Sequence, residues 1–206
     1  MKFALKTTLL AAAVGLATLS HANFVEGKDY QVLANPENIA GDVIVVREFF
    51  WYGCQHCYNL EPHMQKWAET RANDVAFFQT PAAMNPMWEV AARGFYAAQQ
   101  LGAQEKTHQI LFDTVHKDGN RRVIGSQSEL SKWYASQGVD KAKFDSLYNS
   151  FAVTTKIERA KAGAMRYGLS GVPAVVVHGK YVVSGADAKV PQVVDFLVNK
   201  VREEKK

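Results

Sequence analysis

The sequence predicts an α/β protein in which a small mixed sheet is interrupted by an all-helical insertion. Three observations carry this. Short apolar runs that read as strands lie only toward the two ends of the chain, at Val43–Phe50 and Val75–Gln79 early and Ala174–Val177 late. Between them, from about Asn85 to Gly168, apolar residues recur at helical spacing. The only two cysteines in 206 residues, Cys54 and Cys57, sit where the strongest strand gives way to a helix.

The elements follow in order. Tyr30–Leu33 reads as a short first strand and Asn35-Pro36-Glu37-Asn38 as a turn. Asp42 to Phe50 is a buried strand. A helix runs from Cys54 to about Thr70, with a kink expected at Pro62. Val75–Gln79 is the next strand. In the insertion, Met87, Trp88, Ala91, Ala92, Phe95, Ala98 and Leu101 fit one helical face. Ile110, Leu111, Phe112 and Val115 suggest another helix. Ser126 and Glu129 make a capping box, Asp140 caps a further helix, and Thr155 with Glu158 marks the start of a last one that Gly168 closes. After Ala174–Val177, His178-Gly179 reads as a two-residue hairpin turn and Lys180–Ser184 as the return strand. Pro191 opens a terminal helix lined by Val193, Val194, Leu197, Val198 and Val201.

The junction Trp51-Tyr52-Gly53-Cys54-Gln55-His56-Cys57 carries the chemistry. A C-x-x-C pair between strand and helix reads as a thioredoxin-like redox pair. A helix start leaves N–H groups unpaired and carries positive partial charge, which favours a thiolate at Cys54. His56 adds a cation beside it. Each unit of pKa depression is worth about 1.4 kcal/mol, which moves a two-electron couple by roughly 30 mV. Stabilising the reduced pair makes the bridged pair an oxidant of other thiols. A structural zinc site wants four ligands, and the pair supplies two. A c-type haem site needs His after the second Cys, where Tyr58 stands.

Composition bounds the rest. Hydrophobic content of 48% and charged content of 21% are ordinary for a globular chain. Met1–Ala22 reads as a secretory signal: Lys2 and Lys6, an apolar run from Leu9 to Leu19, then Ser20-His21-Ala22, with cleavage expected after Ala22. Its removal lowers the formal charge from +4 to +2, too little to argue for nucleic acid or an anionic membrane. The mature chain is expected in an oxidising compartment.

The chain resembles the DsbA family of periplasmic thiol–disulfide oxidases over nearly its whole mature length. The residues that carry the resemblance are Glu48-Phe49-Phe50, Cys54-x-His56-Cys57-Tyr58, Glu61, the helical block, Gly171-Val172-Pro173-Ala174 and the hairpin at Gly179. It implies a thioredoxin-like fold made of residues 23–84 and 169–206, with residues 85–168 as the insertion. It implies a cis Val172–Pro173 bond, where the residues alone allow an ordinary trans proline, and a Val172 backbone free to pair with an extended peptide. Gln55 is a further candidate for substrate contact.

Glu48 shares a strand face with Val46 and Phe50, so it is either a buried acid exchanging a proton with Cys57 or an edge residue paired with Arg47. The family's acid at Glu48 is expected to be neutral here, because Val75–Gln79 supplies no basic partner. Glu61 is either a second acid or a solvated helix residue. Gln55 replaces the usual Pro between the cysteines. The implied partners are reduced, unfolded exported proteins and a quinone-linked membrane oxidase of the DsbB type. No cofactor or metal is required, and a monomer is expected.

Two rivals remain at this point: a reductase or isomerase on the same scaffold, and a metal-binding or chaperone module using the cysteines as soft ligands. Outside the motif, His108 and His116 read as surface residues, Arg121-Arg122 as a solvated pair, and Met84, Met87 and Trp88 as core, the alternative being the border of a substrate groove near the active site. Trp51, Tyr52 and Tyr58 read as an apolar rim.

Overall fold

A computed structural model of the chain describes residues 24–206. The signal segment Met1–Ala22, its cleavage point and His21 lie outside the described residues. Five strands form one sheet: β1 (Gln31–Val32), β2 (Ile44–Phe50), β3 (Val75–Pro81), β4 (Ala174–Val177) and β5 (Tyr181–Ser184). Their order is β1-β5-β4-β2-β3. Only β2 and β3 run parallel; the other pairs are antiparallel. The parallel pair needs a crossover, and α1 (Gln55–Thr70) supplies it as one helix that runs on through Pro62.

Between β3 and β4 the chain is wholly helical. It forms α2 (Pro86–Gln100), α3 (Gln104–His116), a 3-10 turn (Arg121–Ile124), α4 (Gln127–Ser136), α5 (Lys141–Tyr148) and α6 (Phe151–Arg166). The caps act as their side chains dictate. Ser126 accepts from the Glu129 N–H and Asp140 from the Lys143 N–H. The Thr155–Glu158 capping box is a correction: the cap of α6 lies five residues earlier, where Ser150 accepts from the Val153 N–H. Gly168, at φ +59, does end that helix. The terminal helix α7 (Lys189–Glu204) likewise starts ahead of Pro191. At the β4–β5 turn both His178 and Gly179 have positive φ, the geometry of a two-residue hairpin loop.

The sheet separates two cores. On one face Ile44, Val46, Val175, Val177 and Val183 pack under Leu60, Met64 and Trp67 of α1 and Val194, Leu197 and Val198 of α7. On the other, Phe49, Ala174, Val176 and Val182 meet Ala164 of α6 and Tyr167 just beyond it. A third core fills the insertion, and it reaches into the sheet: Phe50, Tyr52 and Cys57 pack with Phe95, Phe112, Leu130 and Tyr134. Burying each large apolar side chain contributes roughly 1.5–3 kcal/mol. The loop that carries the cysteines is therefore anchored to the helical block as firmly as to the sheet. Among the described residues no helix is long and apolar enough to cross a membrane.

Candidate active site

Cys54 is the N-cap of α1. Its sulfur accepts the Cys57 N–H at 3.2 Å, and its thiol donates to the Val172 carbonyl at 3.4 Å. Both cysteines are unbridged, Cys54 half-exposed and Cys57 fully buried. The Cys54 thiol is lowered from 9.0 to about 6. The largest cause is the hydrogen bond from the Cys57 thiol; partial burial opposes it. The backbone N–H groups of Cys57 and His56 then help, and the His56 charge contributes least of these. His56 thus weighs less than its place between the two cysteines implies. The Cys57 thiol moves the opposite way, far up, first because it is buried and then because a Cys54 thiolate faces it.

Val172 and Pro173 bring the sheet's end against this sulfur. The bond between them is cis, Pro173 is buried and Val172 half-buried. Together with His56, Ser170, Gly171 and Ser184 they line a surface cleft of about 480 Å³. His56 and Gln55 are exposed, and only His56 of the two lines the cleft. The Gln55 amide bonds Asn59 at 3.0 Å, and its oxygen lies 3.2 Å from His116 Nδ1.

Behind Cys57 the surroundings change. Glu48 is fully buried on a central strand, which removes the reading of an edge ion pair. Arg47 instead bonds Thr80 and lies over the Phe78 ring. Neither Glu48 carboxyl oxygen has a hydrogen-bond partner. Burial and then the Glu61 charge push this carboxyl well up, with the Gln79 amide opposing weakly. Glu61 is equally buried, which settles its solvated alternative. Burial would raise it, but the charge and hydrogen bond of His108, with the Gln65 and Gln79 amides, hold it below the usual carboxylate value.

His108 is a correction to its reading as a surface residue. It is fully buried, with Nε2 at 3.2 Å from Glu61 Oε1 and Nδ1 at 2.7 Å from the Tyr52 hydroxyl. The signal was present: 108, 111, 112 and 115 are an i, i+3, i+4, i+7 set, with His108 on the same face as Leu111, Phe112 and Val115. His116 is a second correction. Its Nε2 meets the Tyr52 carbonyl at 2.8 Å, and its ring stacks on Tyr58 at 4.9 Å. Arg121, read as solvated, donates to the Gly53 carbonyl at 2.9 Å. So three side chains from the insertion hold the cysteine loop.

The aromatic rim divides. Tyr52 is buried and belongs to the core. Trp51 stacks on Trp88 with centroids 4.8 Å apart, and a side chain at Gly53 would strike the Trp51 indole at 2.4 Å. Met84 and Met87, read as core, are 36% and 64% exposed.

A thioredoxin-like sheet with a helical insertion, presenting one acidic and one buried thiol beside a cis-proline, defines a thiol:disulfide oxidoreductase. Comparison with known proteins agrees. Residues 45–197 match the family model of the DSBA-like thioredoxin domain. The chain is 39% identical to the thiol:disulfide interchange protein DsbA of Burkholderia cepacia, over the full length of both. It is 35% identical to that of Pseudomonas aeruginosa PAO1, over 98% of each. The crystal structure of Pseudomonas aeruginosa DsbA superposes with a TM-score of 0.81 at 36% identity, covering 89% of this chain and 97% of that one. Reduced DsbA1 of Neisseria meningitidis superposes at 0.75 and 29% identity, covering 89% and 97%. The chain belongs to the DsbA family.

Proposed function

We propose that this protein oxidises newly exported proteins in the periplasm by donating the Cys54–Cys57 disulfide, after removal of Met1–Ala22. The observation that carries the reading is the split between the two thiols, one lowered to about 6 and the other pushed far up. A substrate thiolate attacks Cys54 Sγ, a substrate–Cys54 disulfide forms, and the Cys54–Cys57 bond breaks with its electron pair on Cys57. Glu48, a neutral buried acid, supplies that sulfur with a proton. A second substrate thiolate then attacks the substrate sulfur and releases Cys54, which leaves readily because it is stable as a thiolate. His56 supports that thiolate. Val172 and Pro173 hold the substrate backbone in the cleft, as in strand addition, and Gln55 borders it.

Recharging requires an electron acceptor, which family membership suggests is a quinone-linked membrane oxidase of the DsbB type. The protein acts as a monomer with no cofactor. The deciding experiment is a redox titration against glutathione, combined with oxidation of a reduced dithiol peptide. An oxidase has a potential well above that of a structural cystine and oxidises the peptide rapidly. A potential in the thioredoxin range, about −270 mV, would make the protein a reductase instead.

A further inference from the structure

Cys54 is acidic through the Cys57 thiol first, and then through the N–H groups of Cys57 and His56. Those groups converge on its sulfur because Cys54 caps α1 with an extended backbone, φ −91 and ψ 117. The chain reaches that position through a tight turn, Trp51 to Cys54, closed by the Cys54 N–H donating to the Trp51 carbonyl at 2.9 Å. The two inner carbonyls of the turn, on Tyr52 and Gly53, belong to buried residues. Among the described residues neither accepts a main-chain hydrogen bond, so each needs a side-chain donor.

The insertion grips each of the three residues before Cys54 with a different element. The Trp51 indole stacks on Trp88 in the first turn of α2, with centroids 4.8 Å apart and planes 10° from parallel. Asn85 caps that turn, accepting the Trp88 N–H at 3.0 Å. The same indole lies over Gly53 and leaves no room for a side chain there. His116 of α3 meets the Tyr52 carbonyl at 2.8 Å through Nε2; a carbonyl only accepts, so Nε2 carries the proton. Burial, and after it the Arg121 charge, hold this imidazole below its usual value against the pull of the carbonyl, so near neutrality it donates as an uncharged ring. Arg121 of the 3-10 turn donates to the Gly53 carbonyl at 2.9 Å, the carbonyl joined to the Cys54 nitrogen.

We propose that Trp88, His116 and Arg121 form a three-point clamp that holds the cysteine turn in the shape of a helix cap, so that the insertion sets how readily the Cys54–Cys57 disulfide is given up. They are positioning residues, acting through the turn. The clamp favours the reduced pair over the bridged pair. Hydrogen bonds to a charged acceptor are about twice as strong as those to a neutral one, and only the reduced pair offers a Cys54 thiolate to the converging N–H groups. Loosening the turn therefore raises the Cys54 thiol and makes the disulfide harder to reduce. The Arg121 charge is not a leading cause of the Cys54 acidity, so Arg121 works by its hydrogen bond. The proposal rests on the exchange reading of the cysteine pair.

The test replaces Arg121, an exposed residue, by Met, which keeps much of the length and loses the donor. Cys54 is titrated by thiolate absorbance, and the cysteine pair is equilibrated with glutathione. Arg121→Met is expected to raise the Cys54 midpoint by about half a unit and to shift the glutathione equilibrium roughly threefold toward the bridged form. Both changes should be equal at about 0.05 M and about 1 M salt. A melting temperature that falls while midpoint and equilibrium stay at wild type makes the contact purely structural; it overturns the proposal and leaves the oxidase reading intact. A shift that disappears in high salt also overturns it, because salt screens an exposed charge acting through space. Should Arg121→Met not fold, His116→Phe decides by the same two readings, since it keeps a ring against Tyr58 and loses the donor. A wild type whose Cys54 titrates like an ordinary thiol overturns the oxidase reading first, and the proposal with it.

Discussion

Cys54 and Cys57 are one helical turn apart, yet they occupy opposite kinds of place. The Cys54 side is open, faces a cleft, and offers N–H donors, a carbonyl and an exposed histidine. The Cys57 side is closed, and beneath it lie two buried carboxyls, an imidazole and a cage of aromatic rings. The difference follows from geometry. The N-cap position looks out along the helix axis into unpaired N–H groups, while the residue three further on turns toward the core. On the proposed function, one side sets how stable the reduced pair is and the other how readily it gains or loses a proton.

The contrast breaks most completely at Cys54. Cys54→Ser is expected to abolish oxidation of a dithiol peptide, because the one remaining thiol has no disulfide to donate; residual turnover above a few per cent in a stopped-flow assay contradicts this. Next in size is Glu48→Gln, which keeps the shape and removes the proton. It should slow exchange about 10²-fold, the low end for general acid–base groups. It should also alter stability in a defined direction. The Glu48 carboxyl is raised in the folded protein, so its contribution is present below the ordinary carboxylate value and lost as pH rises through the folded value. Urea midpoints of variant and wild type should agree near pH 4 and separate in the variant's favour toward pH 8. Parallel curves would mean that Glu48 is not a strained buried acid.

A third measurement sharpens the open side. With Cys54 at about 6 and Cys57 protonated throughout, reduction takes up two protons below that pH and one above it. The potential should fall by about 59 mV per pH unit below 6 and about 30 mV above. An ordinary dithiol changes slope near 8.5. The depressed Cys54 therefore stabilises the reduced form fully above about 8.5, and this stabilisation is lost as pH falls through about 6. A single slope from pH 5 to 8 would place Cys54 among ordinary thiols.

The open side was far more legible in the sequence than the closed one. Local order announces it: Val43–Phe50, a glycine, then the cysteine spacing at a helix start. The strands were equally readable, because β-branched runs bounded by turns have few other uses. The closed side is assembled from β2, α1, β3 and α3, so Glu61 remained undecided and His108 was placed on the surface. Its i, i+3, i+4, i+7 partners marked it as buried, but a lone histidine carries no local sign of what it will meet. His116 and Arg121 were lost for a related reason. They meet backbone carbonyls more than 60 residues away, and a carbonyl leaves no trace in a side-chain pattern. The start of α6 failed differently: Thr155–Glu158 fits the capping pattern, but Ser150 had an equally good hydroxyl one turn earlier.

The smallest expected effect separates two accounts of why Cys54 is acidic. If the nearby cation dominated, His56→Ala would return the thiol most of the way to its ordinary value. Instead the Cys57 thiol lowers Cys54 most and the His56 charge least. That order is physically reasonable, since His56 is exposed and its field is screened by water, whereas Cys57 follows one helical turn on and its N–H is fixed 3.2 Å from the Cys54 sulfur. Thiolate absorbance should therefore show a small upward shift in His56→Ala and a larger one in Cys57→Ala, which removes the S–H donor but keeps the N–H. The reverse order would move the source of acidity from the helix turn to the histidine, and the open side would then owe its character to one surface residue.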